Sequence, residues 1–339
     1  MKDPVSFVSV ENLSSHRLDF STEPVPAGAV FGSFQGERFN YEPRRKWVSK
    51  EVIQRAIKEG QLTDFDIRVL CLIGAFTPAF VNFRSLKELL LMAGGEDGEI
   101  KVQKLSASLC KLEQYNLTVV GKLESESDPD QRDRVIHLTV KGSQLVKSYG
   151  VMHRFNPNET IDAPTAKARA QTSMTIVNFL KHLSDRVTDF KVRPILVNKT
   201  VLDEGIVRPA GAITVDGEEF FFEVPRRGRF NWKEDLAEKL YRYTVVFEGE
   251  VPCVVLNCED KQMSRELLDH LNGTADIHGF PMENVLFTDD LSLFGKGFST
   301  CLYTFDGRGE RIPLEIFDPE KKTYDDPSPK DAGKTPIAA

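Results

Sequence analysis

The segment from Val207 to Phe247 constrains the fold of this chain more than any other. Its sequence is VRPAGAITVDGEEFFFEVPRRGRFNWKEDLAEKLYRYTVVF. Asp216-Gly217 is the two-residue signal of a tight hairpin, and it separates two apolar runs. We therefore predict that Ile206–Val215 and Glu218–Val224 are paired antiparallel strands of a sheet.

The same segment predicts a helix over residues 232–247, because apolar side chains recur there every three or four positions. Glu223 falls in the apolar part of the strand that precedes this helix. Burial of an unpaired carboxylate is costly. We therefore expect Glu223 to have a cationic partner, a raised pKa or a bound metal.

The composition is that of an ordinary globular protein. The 339 residues suffice for two or three domains, and the apolar content of 40% allows a sizeable core. The net charge of −7 argues against a wholly basic nucleic-acid-binding surface but leaves room for a local basic face. The five cysteines are scattered and form no CxxC pair, so we predict reduced thiols and no structural zinc site.

The amino-terminal segment lacks the apolar core of a signal peptide, and no apolar run approaches the ~20 residues of a membrane span. We therefore predict a cytoplasmic protein that makes no membrane contact. Changes in composition divide the chain into an amino-terminal arm (1–45), a helical domain with a hairpin (46–150), a linker (151–164), an α/β domain (165–317) and a disordered tail (318–339).

Residues 60–150 follow the order helix, helix, helix, hairpin, helix. The predicted helices are Thr63–Phe76, Ser85–Ala93 and Lys101–Gln114, the hairpin strands are Leu117–Leu123 and Arg134–Leu138, and the last helix is Thr139–Tyr149. This order and the segment LCKLEQYNLTVV…VIHLTVKGSQLV resemble the winged helix-turn-helix family. The resemblance implies that the third helix lies in the major groove of double-stranded DNA, with the hairpin near the phosphate backbone.

On that third helix the resemblance implies DNA contacts from the polar side, at Lys101, Lys104, Ser108 and Lys111. The predicted tip of the wing, residues 124–130, is acidic, which disfavours contact between the wing and phosphate. A winged helix can also serve contacts with proteins, and this alternative stays open.

The second half follows the order α-β-β-β-α-β-α-β, which predicts a mixed sheet with helices on both faces. The order resembles the restriction-endonuclease-like fold, also called PD-(D/E)xK. In that family an acid on the second core strand and an acid-x-lysine on the third hold Mg²⁺, and the metal activates water at a phosphodiester. The resemblance assigns the third-strand acid to Glu223, but Ala210 stands where the other acid is expected and Pro225 where the lysine is expected.

From about residue 60 to residue 290 the chain resembles the replication-relaxation proteins of plasmids and other mobile elements. Their pattern runs R-P-D-G, then an aromatic strand ending in E-V-D, then a helix with K-L-x-x-Y. Here the corresponding segments are Arg208–Gly211 (RPAG), Phe220–Pro225 (FFFEVP) and Lys239–Tyr243 (KLYRY). The resemblance implies an α+β multidomain protein, with an amino-terminal winged helix-turn-helix followed by a divergent α/β endonuclease-like core.

Three sets of residues could complete a metal site around Glu223. Lys239 on the following helix can reach back toward the strand in place of the missing lysine, Asp203 or Glu204 can supply a second carboxylate, and Glu238 is a further candidate. With these residues, Glu223 and Lys239 would be catalytic, and Glu223 and Asp203 would bind Mg²⁺. The alternative is a plain ion pair of Glu223 with Lys239 or Arg208, since structural ion pairs perturb pKa values as active sites do.

One sharp basic run follows the Glu223 strand, at Arg226, Arg227 and Arg229. Guanidinium groups there would hold a phosphate backbone beside the site, whereas the alternative is a solvated turn.

The sequence thus supports three hypotheses. The first is a DNA-binding protein of a mobile element, acting in replication, transfer or regulation without cutting and without a required cofactor. The second is an active Mg²⁺-dependent endonuclease, and the third is a scaffold for protein partners. Double-stranded DNA is the expected partner, with replication or transfer proteins as further candidates, and a homodimer is compatible with the sequence.

Overall fold

The structure is a computed structural model. It describes residues 38–41, 48–93, 102–124, 132–155, 161–183, 186–198, 201, 205–227, 231–249, 251–278, 280–294, 298–306 and 309–315. The predicted arm and tail lie outside these residues, apart from one short strand.

The first part of the described chain combines five helices with a small sheet. The helices are α1 (Lys50–Lys58), α2 (Asp64–Ala75), α3 (Phe83–Met92), α4 (Val102–Gln114) and α5 (Val140–Ser148). The strands are β1 (Arg38–Tyr41), β2 (Val81–Asn82), β3 (Thr118–Glu124) and β4 (Arg132–Leu138), in the order β1-β3-β4-β2 with antiparallel pairing throughout. The predicted run of three helices, a hairpin and a helix is confirmed in order and type.

Local capping explains where these helices begin. Thr63 and Asp66 form a capping box at the start of α2, as the sequence predicts. For α3 the predicted cap is wrong by three residues. Asn82 caps this helix, and its Oδ1 accepts a hydrogen bond from the backbone nitrogen of Ser85 at 2.7 Å. Asparagine and serine cap equally well, so the sequence alone does not choose between them.

The second part is built on a seven-stranded mixed sheet. Its helices are α6 (Ala163–His182), α7 (Trp232–Val246), α8 (Lys261–His278) and α9 (Asp290–Phe294). Its strands are β5 (Val187–Val192), β8 (Gly211–Val215), β9 (Glu218–Glu223), β10 (Val254–Cys258), β11 (Val285–Asp289), β12 (Leu302–Phe305) and β13 (Arg311–Leu314). They lie in the order β13-β12-β11-β10-β9-β8-β5. The central strands β9, β10 and β11 are parallel, and the flanking pairs are antiparallel, so the predicted mixed sheet is confirmed.

Proline breaks two of the predicted strands. The predicted strand Ile206–Val215 is divided at Arg208-Pro209 into β7 (Ile206–Val207) and β8. Residues 190–197, which the sequence also predicts as a single strand, are likewise divided at Arg193-Pro194 into the end of β5 and β6 (Leu196–Val197). Proline has no N–H and cannot donate a hydrogen bond to a neighbouring strand. Therefore β6 and β7 are not part of the seven-stranded sheet and pair with each other.

The hairpin of β8 and β9 has the predicted turn. Asp216 and Gly217 adopt φ angles of 52° and 89°, the left-handed conformation that a two-residue turn of this type requires. Side chains on β9 alternate between the two faces of the sheet. Phe222 contacts Phe179 of α6 at 4.9 Å between ring centroids, whereas Phe221 packs with Tyr243 of α7 at 5.8 Å. Helices therefore cover both faces.

Helix α6 connects the two parts of the molecule. Its buried residues Ile176 and Phe179 belong to one hydrophobic cluster that also contains Leu86 of α3 and Ile213 of β8. Lys181 of the same helix forms an ion pair with Glu88 of α3 at 3.6 Å. The two parts thus share a core. Among the described helices, none is both long and apolar enough to cross a membrane.

Candidate functional site

Glu223 lies at the carboxyl end of β9, with its side chain buried against α7. Only 3% of the residue is exposed. Its Oε2 accepts a hydrogen bond from Lys239 Nζ at 2.5 Å, and its Oε1 accepts one from the Tyr243 hydroxyl at 2.8 Å. Lys239 and Tyr243 are four residues apart and therefore share one face of the helix. The expected cationic partner of Glu223 is present.

Burial dominates the electrostatics of this carboxyl. It raises the pKa of Glu223, although Lys239, the Tyr243 hydroxyl and the charge of Arg193 all act to lower that pKa. The pKa of Tyr243 is raised well above its usual value, first by burial and then by the neighbouring carboxylate. Both oxygens of Glu223 are thus occupied by protein donors in a dry environment.

Ala210 faces Glu223 across the strand pair. Gly211 is the register partner of Phe222, and the Ala210 N–H donates to the Phe222 carbonyl at 2.9 Å. A methyl group therefore occupies the position, beside Glu223, for which the family resemblance implies a carboxylate.

These residues border a cavity of about 250 Å³. It lies between the first half of α6, the end of β9 and the start of α7. It is lined by Pro164, Thr165, Ala168, Arg169, Thr172, Arg193, Arg208, Ala210, Glu223, Val224, Pro225, Arg226, Trp232, Asp235, Leu236 and Lys239.

The lining carries an excess of positive charge. Four arginines and one lysine stand against two carboxylates, which leaves three positive charges in excess: Arg169, Arg193, Arg208, Arg226 and Lys239 against Glu223 and Asp235. Such a concave surface with cationic walls attracts anions.

Arg193 is held in a strained conformation at the edge of this cavity. Its φ angle is 46°, in the left-handed region that few residues other than glycine adopt. Its N–H donates to the Ala210 carbonyl at 3.0 Å, which fixes the backbone there. Strain of about 1–3 kcal/mol of this kind is concentrated at functional sites, and Arg193 lines the cavity with Glu223.

The structure corrects the role predicted for the arginine run after β9. Arg226 is 5% exposed and donates to Asp290 at 3.0 Å and to the Asn257 carbonyl at 2.8 Å. It is therefore a buried partner of an acid and not a solvated phosphate ligand. Burial raises the pKa of Asp290 to about 7, in spite of Arg226. Arg227 contacts Asp260 at 2.7 Å, and Arg229 lies outside the described residues.

The residues predicted for DNA contact on α4 lie in different environments in the structure. Ser108 is 1% exposed and packs inward, so it does not belong to the polar side of the helix. Lys104 lies over the ring of Phe65 at 4.6 Å, and Lys111 forms an ion pair with Asp66 at 3.2 Å. Lys101 lies outside the described residues. The exposed residues of α4 are Val102, Gln103, Lys104, Ser106, Ala107, Cys110 and Gln114. Gln103, Ser106, Ala107, Cys110 and Gln114 form one stripe, and Lys104 lies at its side.

Only some of the residues predicted to bind Mg²⁺ lie in the described part of the chain. Asp203 and Glu204 lie outside it, and within it no group of three or more His, Cys, Asp or Glu side chains is arranged to hold a metal ion. Glu223 and Lys239, the two predicted catalytic residues, do meet.

Sequence reasoning missed three residues of the cavity. Asp235 precedes Lys239 by four residues and therefore lies on the same face of the helix. This spacing is a signal from which Asp235 could have been predicted as a residue of the cavity. Arg193 precedes a proline that ends a strand, which is only a weak signal. Arg169 looks like a surface residue in sequence and gives no signal. Comparison with known proteins produced no match to a family model, a curated protein or a solved structure.

Proposed function

We propose that this protein binds double-stranded DNA through a winged helix-turn-helix, joined to an endonuclease-like domain that does not cut. By its resemblance to replication-relaxation proteins, it would act in the replication, transfer or regulation of a mobile element. The observation that carries the proposal is the exposed stripe of α4, whose members are uncharged and lie beside the exposed Lys104, with the partly buried Glu113 as the one acid at its edge, although the chain is acidic.

The topology of the amino-terminal part supports the winged helix. The two-residue strand β2, between α2 and α3, pairs with β4 of the hairpin that follows α4. In a winged helix this pairing fixes the hairpin beside the third helix. That helix, α4, is then the one that would enter the major groove.

The exposed side chains of α4 suit recognition of base edges. Gln103 and Gln114 carry amides, which can make paired hydrogen bonds to adenine. Ser106 can donate or accept, and Ala107 can contact a thymine methyl group. The lysines of this helix lie at the side of the stripe, where a phosphate backbone would pass.

The hairpin supplies cations on its exposed face. Lys122 of β3 and Arg134 of β4 are register partners, and both are exposed. Like charges placed directly opposite each other in a strand pair destabilise it, so this pair favours an anionic partner such as a phosphate backbone. The acidic tip predicted at residues 124–130 is described only at Glu124, in the strand.

The lack of cutting is proposed from the surroundings of Glu223. Its two oxygens are occupied by Lys239 and Tyr243, and Ala210 faces it where the family resemblance implies a second acid. A Mg²⁺ ion needs oxygen ligands that can turn toward it, and usually more than one carboxylate. In the described site Glu223 would first have to give up its ion pair with Lys239.

Duplex binding at low and moderate salt tests the proposal. We expect wild-type protein to shift a random duplex at low salt, and Ala107→Glu to reduce binding at least tenfold by placing a carboxylate in the stripe. Asn272→Glu at an exposed position on α8 adds the same charge away from α4 and should bind as wild type. No shift at low salt would favour the protein scaffold instead.

A cleavage assay separates binding from hydrolysis. Wild-type protein and a Glu223→Gln variant are incubated with plasmid and Mg²⁺ or Mn²⁺, and we expect neither to nick it. Cleavage by wild type that is lost in Glu223→Gln would establish the active endonuclease and overturn the non-cutting proposal.

A further inference from the structure

We propose that the cavity beside Glu223 binds a phosphate monoester carried by a nucleoside. The ligand is either a free mononucleotide or the terminal nucleotide of a DNA strand. This site is separate from the exposed face of α4, and the inference does not depend on duplex binding there.

The charge of the cavity selects an anion. Lys239 is paired with Glu223 and Arg226 with Asp290, so neither of these cations is available to a ligand without breaking an ion pair. Arg208 is exposed at the mouth of the cavity. Within the described chain, no side chain or carbonyl forms a hydrogen bond or ion pair with its guanidinium. A guanidinium in this state is ready to form paired hydrogen bonds to phosphate oxygens.

The size of the cavity selects a terminal phosphate. A volume of about 250 Å³ falls slightly below the ~300 Å³ lower end for sites that enclose a small molecule. An internal phosphodiester of a duplex is flanked by sugars on both sides, so it fits such a space less well than a terminal phosphate does. A monoester presents three free oxygens and a charge of about −1.5 to −2, which suits a lining in which cations outnumber carboxylates.

The start of α7 adds two features that fit a nucleoside. Trp232 forms part of the wall, and its indole offers a face on which a base can stack. Asn231 makes no side-chain cap, so the first turn of this fifteen-residue helix keeps N–H groups that an anion can accept from. At the floor of the cavity Ala210 is uncharged and Glu223 is paired with Lys239, so little negative charge is available there. This favours an anion over a metal ion.

Titration calorimetry with dAMP and with deoxyadenosine tests the site. We expect wild-type protein to bind dAMP and to bind deoxyadenosine far more weakly. Arg208→Ala should weaken dAMP binding roughly 10- to 100-fold, the usual effect of losing hydrogen bonds to a charged group. Arg208 is exposed, so this variant should fold normally. Arg242→Ala is the matched control, because Arg242 lies on α7 in an exposed pair with Glu238 and does not line the cavity.

Further ligands identify the source of the phosphate. Tighter binding of a 5′-phosphorylated single strand than of the same strand with a 5′-hydroxyl, lost in Arg208→Ala, assigns the site to DNA ends. Equal binding of the two strands, with dAMP still bound, assigns it to free nucleotides. No binding of dAMP, equal dAMP affinity in Arg208→Ala, or equal affinity for inorganic phosphate and dAMP would overturn the inference. Ala107→Glu should bind dAMP as wild type does, so failure of the α4 proposal is distinguishable.

Discussion

Lys239 Nζ lies 2.5 Å from Glu223 Oε2, and the lysine reaches this acid from the helix after the strand instead of from the strand itself. The pair is asymmetric, since 4% of the Glu223 side chain is exposed but 29% of the Lys239 side chain. The carboxylate therefore depends on the lysine more than the lysine depends on the carboxylate. Removal of Lys239 and removal of Glu223 should therefore affect the protein differently.

Lys239→Met should destabilise the protein, and more so at high pH. The variant leaves Glu223 buried with only Tyr243 as donor, which costs about 1–3 kcal/mol after allowance for the partial exposure of the pair. The folded-state pKa of Glu223 is already raised, so its contribution to stability is present at acidic pH and is lost as pH rises through that pKa. Without Lys239 the pKa rises further. Urea unfolding at pH 5 and pH 8 measures the difference.

Glu223→Gln in the Lys239→Met background is the control for that prediction. A neutral amide needs no cation, so the double variant should recover part of the lost stability at pH 8. A loss in Lys239→Met that is equal at both pH values, or not relieved in the double variant, would contradict the role assigned to the ion pair.

Local signals predicted much of this molecule. The capping box of Thr63 and Asp66 and the Asp216-Gly217 turn depend on neighbours in sequence, and both were recognised. The ion pair of Glu223 and Lys239 was also predicted, because the strand and helix that carry them are consecutive. In each case the decisive contact spans few residues.

The errors involve distant contacts. Arg226 looks like a surface arginine in sequence, but Asp290, 64 residues later, pairs with it in the interior. Ser108 looks polar on a helical wheel, but helix packing places it inside. The cavity is formed by α6, the end of β5 and α7. No sequence spacing predicts that Arg169 and Arg193 both line it.

The buried pair of Arg226 and Asp290 should be more costly to break than an exposed pair. Their side chains are 2% and 1% exposed. Asp290→Ala leaves a buried guanidinium without its counter-charge, which should lower the free energy of unfolding by about 3–5 kcal/mol. Asp216→Asn removes the exposed pair with Arg186 and keeps a residue that tolerates the turn, so it should cost less than about 1 kcal/mol. Similar losses in the two variants, measured by urea unfolding, would argue against a buried pair.

His137 should make the protein sensitive to acid. The ring is 8% exposed and stacks on Phe80 at 4.9 Å, and burial lowers the pKa of His137 from 6.5 to about 4. The unfolded chain therefore takes up a proton that the folded chain excludes, and stability is lost as pH falls from about 6.5 toward 4. His137→Phe keeps a stacked ring and should reduce that loss by roughly 2 kcal/mol. Unfolding midpoints at pH 4.5 and pH 7.5 provide the measurement, and an unchanged acid sensitivity would contradict it.

Lys122 and Arg134 should affect the salt dependence of duplex binding more than its sequence preference. Lys122→Ala with Arg134→Ala removes two candidate phosphate contacts, which should reduce the slope of log K against log salt concentration by about 2. The preference between two duplexes should stay the same. Gln103→Ala should do the opposite, with a nearly unchanged slope and weaker discrimination. An unchanged slope in the double variant would remove the hairpin from the interface.

Ala210→Asp tests whether the core can regain a metal site. The new carboxylate would face Glu223, and without metal two acids in one dry site repel each other, so the variant should be less stable than wild type at pH 8. Mn²⁺ should raise the unfolding temperature of the variant and leave that of wild type unchanged. In the variant the ion has two carboxylate ligands, so it can displace Lys239 from Glu223. Ile312→Asp is the control, because it adds an acid at an exposed strand position away from the cavity. An equal response to Mn²⁺ in Ala210→Asp and Ile312→Asp would mean that the position facing Glu223 has no special capacity for metal.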